Sequence, residues 1–268
     1  MKLAFATTSF LAVFAVAAST GHAQDAPAKL NLNDPNIVFV EESVIPIPLE
    51  IFSSLDKLGA RDWSGQIVKR EVNLDPDRSR TAMLFGLVVS EGFIAVQAKD
   101  NEGVRRIGRE VLRLAQPLNV LDDVQSHANA IITGAGKDDW DSVRGELDKT
   151  RQTVINKLKE NRDKDLVALV SLGGWLGGTE ALSAVLKDDY SPEASDLLNQ
   201  PDLVTQLKSD FNGLPRRVRR GELFSQVSKT LTHLEFLMRS DASGSISKGN
   251  VIEISLATKN LVNAIYGG

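Results

Sequence analysis

Two glutamates interrupt the most apolar parts of this chain, Glu91 in "VVSEGFIAV" and Glu180 in "LGGTEALSAV". Each follows a hydroxyl residue, Ser90 or Thr179. A buried carboxylate is costly unless it is paired or hydrogen-bonded, so each needs a partner. Two chemistries follow: the pair faces one cavity and binds a metal or shares a proton, or each takes an arginine or a helix-end amide as a structural partner.

Beyond the leader, the histidines are His127 in "DDVQSHANAII" and His233 in "TLTHLEFLMR". Ferritin-like di-iron sites use Glu-x-x-His on two helices, but Val124 and Thr230 stand three before these histidines. His-Glu-x-x-His, Gly-x-Ser-x-Gly and the phosphate-loop pattern are all missing. Haem ligation by either histidine with Met83 or Met238 remains an arithmetic option. With no cysteine in 268 residues, thiol catalysis, Cys-ligated zinc, iron–sulfur clusters and c-type haem attachment are excluded. No cofactor is expected.

One basic run stands apart, "LPRRVRRGE", with Arg216, Arg217, Arg219 and Arg220. Read as the start of a long helix it places cations where the helix dipole disfavours them. An anionic partner would account for that, as would a solvated face paired with nearby acids.

The stretch "SLGGWLGGTEALSAVL" gives up helix propensity at four glycines, at about 1 kcal/mol each. Gly173 and Gly177 lie four apart, as do Gly174 and Gly178, so one helix would offer a flat face for close approach of another backbone. Trp175 would fill the edge of that groove. A membrane span of the small-x-x-x-small type is the rival.

These residues must be held by helices. The segments 79–99, 102–116, 120–133, 138–159 and 163–187 each read as helix, the first and last nearly all apolar and therefore central. Ser191, Pro192 and Glu193 form a helix start, and 214–239 and 246–266 read as two further long helices, the closing pair of 214–266. Strand signals are nearly absent after residue 48. The fold expected is all-α, a multi-helix bundle.

A repeat is visible as well. "SEGFIAVQAKD" at 90–100 aligns without gaps on "TEALSAVLKDD" at 179–189, and "LAQP" at 114–117 on "LNQP" at 198–201. Units at 49–118 and 119–201, stacked through their apolar helices, are the expectation within one helical domain over 49–268.

The N-terminus has a single Lys2, an apolar run over 10–18 and small residues at Gly21 and Ala23, the pattern of a signal peptide over 1–23 cleaved after Ala23. An extended, Pro-containing arm over 24–48 follows. Losing Lys2 makes the mature chain one unit more acidic than the net −4 of the full sequence, so a nucleic-acid partner is not expected. The reading is an exported, periplasmic or secreted, non-enzymatic helical binding or scaffolding module without a membrane span. Its alternative is a metal, haem or small-ligand protein using Glu91, Glu180, His127 and His233.

Overall fold

Acidic N-caps and tight left-handed turns lay out the bundle. In the computed structural model, residues 63–240 and 244–267 are described, together with two short strands, β1 (Phe39–Val40) and β2 (Ser43–Val44), which pair antiparallel in the register Phe39↔Val44. The signal peptide over 1–23 lies outside the described residues, as does all of the 24–48 arm except these strands.

The helices are α1 (Arg78–Gln97), α2 (Asn101–Ala115), α3 (Leu121–Ala135), α4 (Trp140–Glu160), α5 (Lys164–Asp188), the short α6 (Pro192–Ser195), α7 (Pro201–Gly213), α8 (Glu222–Leu237) and α9 (Lys248–Gly267). The architecture is an all-α bundle. Asp77, Asp100 and Asp139 cap α1, α2 and α4 by accepting from the N–H groups of Ser79, Gly103 and Ser142. Ser191 caps α6, with Pro192 in its first turn.

The four links from α1 to α5 share one device. Lys99, Asn119, Asp138 and Arg162 each adopt positive φ, between 54° and 64°. Around them Asp100, Val120, Asp139 and Asp163 donate backbone N–H groups to the carbonyls of Ala95, Ala115, Gly134 and Leu158 at 2.8–3.1 Å. That is the six-to-one bond of the Schellman motif, which ends a helix and reverses the chain within a few residues. Non-glycine residues accept the left-handed conformation here because the turn satisfies carbonyls that would otherwise be orphaned.

At the centre, α1 packs along α5. Gly86 and Gly173 let the two backbones meet: a Cβ on Gly173 would stand 2.1 Å from the Met83 carbonyl oxygen, and one on Gly86 would stand 2.0 Å from that of Val170. A Cβ on Gly177 would collide with Ser90 Oγ at 1.9 Å. Only one diagonal of the expected glycine face therefore makes the tight contact. Gly174 has ordinary room, and Gly178 faces open space because it points away from α1. Trp175 is buried, and its indole N–H donates to Gln200 Oε1 at 3.3 Å.

Helices α2, α3 and α4 complete a four-helix unit on α1, while α7, α8 and α9 do the same on α5. The halves differ in weight: within its own half α1 packs mainly on α2, the next helix in sequence, and α5 mainly on α9, the last. The expected repeat is not confirmed, and its units at 49–118 and 119–201 cut across this division. By length and composition α1 and α5 could each cross a membrane; the most apolar stretch of α1 is 94% buried inside the protein and that of α5 67%.

One helix boundary needs correction. The helix expected over 214–239 begins at Glu222, because residues 216–218 form a turn and Gly221 has a φ of 95°. The four arginines thus precede the helix rather than forming its first turn.

Candidate functional site

A short segment ahead of α1 folds across the groove between the central helices. It opens with Trp63 and a single 3-10 turn (Ser64–Gln66). Trp63 is buried with Ile94 of α1 and Ala181 and Val185 of α5, and Ile67 packs on the same cluster. This apolar anchor directs Arg70 inward.

Arg70 then meets both glutamates. Its Nη2 lies 2.5 Å from Glu180 Oε1 and its Nη1 3.6 Å from Glu91 Oε1. Its Nε donates to Asn263 Oδ1 of α9 at 3.1 Å, and the guanidinium carbon stands 5.4 Å from the centre of the Tyr266 ring. Tyr266 in turn donates its hydroxyl to Glu91 Oε1 at 2.7 Å. From α2, Arg106 brings Nη2 within 3.8 Å of Glu91 Oε2, and that nitrogen is buried with no hydrogen-bond partner among the described residues.

The end of α9 is fixed by a second arginine. Arg80 is buried and donates through Nε and Nη2 to the Ile265 carbonyl at 3.0 and 2.8 Å, while its Nη1 donates to Asp75 Oδ2. Orphan carbonyls at a helix C-terminus favour such a cation. Tyr266 is thereby held against Glu91.

Burial dominates the electrostatics. Loss of water raises the Glu91 carboxyl, and the Tyr266 hydrogen bond, Arg106 and Arg70 offset this only in part. Glu180 is raised by burial too, against the pull of Arg70 and Lys259. Burial first, and Glu91 second, push the Tyr266 phenol far above its usual range, so it acts as a donor and stays protonated.

Beside this cluster lies a cavity of about 240 Å³, bounded by residues 65–70, α1, α5 and α9. Both glutamates and Arg70 line it, with Lys187, Asp188 and Lys259 as further charges and Ile94, Ala184 and Val262 among the apolar walls.

The histidines are elsewhere. His127 sits between α3 and α4, with Glu146 Oε2 2.9 Å from Nδ1 and Thr153 Oγ1 3.2 Å from Nε2. This carboxylate–imidazole–hydroxyl line resembles a catalytic relay, but Glu146 and Thr153 lie inside α4, whose backbone N–H groups are committed to the helix and supply no oxyanion donors. His233 lies at the surface, 3.6 Å from Glu253. Neither histidine lines the cavity that holds the glutamates, so the four-residue set expected for a ligand site divides into three places. Met83 and Met238 are fully buried in the core. Among the described residues no group of three or more His, Cys, Asp or Glu is placed to hold a metal ion.

Of the basic run, Arg216, Arg217 and Arg220 are exposed. Arg217 stands 3.6 Å from Asp165, and Arg219 donates to the Leu214 carbonyl at 2.8 Å.

Sequence reasoning found the glutamates but missed Arg70, Arg106 and Tyr266. Arg70 lies in "QIVKREVNL", which has neither helical nor strand period, and only tertiary placement gives it its role. Comparison with known protein families, curated proteins and solved structures finds no match.

Proposed function

We propose that this protein is an exported, non-enzymatic helical binding module that holds a small polar molecule in the cavity beside Arg70. The cavity itself carries the reading: three helices and the 65–70 segment line an open-sided space with charged groups of both signs and apolar walls. Such a mixture of apolar surface and a few placed polar groups characterises ligand sites, and a volume below the usual drug-sized range suits a small metabolite.

The carboxylates do not favour catalysis. Arg70 ties both carboxylates together and the Tyr266 phenol is held protonated, so neither glutamate stands apart from a cation as a general base and the phenol is no nucleophile. The metal and haem alternatives gain no support from the scattered histidines.

Intact native mass measurement on protein recovered outside the cytoplasm tests both halves of the proposal. A polypeptide beginning at Gln24 with a small adduct is expected, the adduct being lost in Ala184→Trp, whose indole would occupy the cavity. Retention of Met1 would overturn export, and a bare wild-type mass indistinguishable from the variant would count against the bound ligand.

A further inference from the structure

The lining of the cavity limits what it can hold, and this step rests on the binding reading above. Three cations, Arg70, Lys187 and Lys259, stand against three carboxylates, Glu91, Glu180 and Asp188. A purely anionic or purely cationic ligand gains little from a wall whose charges balance.

Most of those charges are already engaged. Arg70 is consumed by Glu180, Glu91 and Asn263, and Lys187 pairs with Asp188 at 3.5 Å. Glu91 accepts from Tyr266 and faces Arg106. Two groups retain capacity toward the cavity. Glu180 uses Oε1 for Arg70, leaving Oε2 without a partner among the described residues. Lys259 makes no hydrogen bond among them, yet it stands close enough to Glu180 to stabilise the carboxylate charge. One acceptor and one cation therefore line the same cavity, with Ile94, Ala184 and Val262 among its apolar walls.

We infer that the ligand is a small zwitterion with an apolar substituent, of the α-amino-acid class, its ammonium on Glu180 and its carboxylate on Lys259. An ammonium can donate to the open Glu180 oxygen, a carboxylate can accept from Lys259, and the side chain is left to the apolar wall. Charge neutrality of both ligand and lining lets the pair form without stranding a buried charge.

The test compares L-leucine with its two halves, 3-methylbutylamine and 4-methylpentanoate, by the melting-temperature shift of the full mature chain. Leucine is expected to raise the wild-type Tm and each half to do so at least tenfold more weakly in concentration. Lys259→Gln, at an exposed position that spares the fold, should abolish the preference for leucine over the amine. An equal or stronger response to either half would overturn the zwitterion while leaving the cavity a binding site. Silence toward all three, together with a bare native mass in the preceding experiment, would overturn both; silence with an adduct of other chemistry would overturn the zwitterion alone.

Discussion

Arg70 lies 2.5 Å from Glu180, and the same guanidinium reaches Glu91 at 3.6 Å, so one cation from an irregular segment serves two carboxylates from the paired central helices. Its side chain is only 9% exposed. Removing either sign of charge therefore has consequences that can be measured.

Arg70→Met should be strongly destabilising, by about 3–5 kcal/mol, because it strands two buried carboxylates. Adding Glu180→Gln to that variant should recover part of the loss. Urea denaturation of the single and double variants checks this, and additive losses would show that the three groups do not act together.

The pH dependence has a definite sign. Burial raises the Glu180 carboxyl above the ordinary value near 4.5. The folded chain then binds more protons than the unfolded one above that pH, so this group's stabilising contribution is fully present below about pH 4.5 and is lost as pH rises through the folded pKa. Glu180→Gln lacks the titration. Its Tm relative to wild type should climb between pH 4.5 and 7, and a falling difference would mean that Arg70 outweighs burial.

Two glycines five residues apart should behave oppositely. Gly173→Ala forces a Cβ to within 2.1 Å of the Met83 carbonyl oxygen and should cost about 1–3 kcal/mol or more. Gly178→Ala meets nothing within 4 Å in the same helix and should stabilise by about 0.4–1 kcal/mol. Thermal melts of the two single variants read the contrast directly.

Periodicity exposed what is periodic. The apolar segments at 79–99 and 163–187 identify the central helices within two residues at each end, since a helix buried on all sides has no polar face to confuse its limits. The turns were less visible. Lys99 and Arg162 carry no turn signature, and their left-handed backbone follows from the carbonyls it satisfies. The stretch at 214–221 reads as helix because Leu214 and Val218 lie four apart, whereas the positive φ of Gly221 keeps the helix from extending back across it.

The site was legible in half. Glu91 and Glu180 betray themselves as charges in apolar runs, whereas arginine and tyrosine are unremarkable in polar or amphipathic sequence, and Arg70 and Tyr266 lie almost 200 residues apart. His127 drew attention by rarity alone; its partners, Glu146 and Thr153, form a surface clasp between α3 and α4.

The most direct test of the ligand cavity is the melting of wild type and Ala184→Trp, side by side, against the standard amino acids, simple sugars, dicarboxylates and polyamines at millimolar concentration. The cavity reading expects at least one class to raise the wild-type Tm and to leave the filled variant unmoved. Matching responses from the two proteins, or none from either, would contradict it.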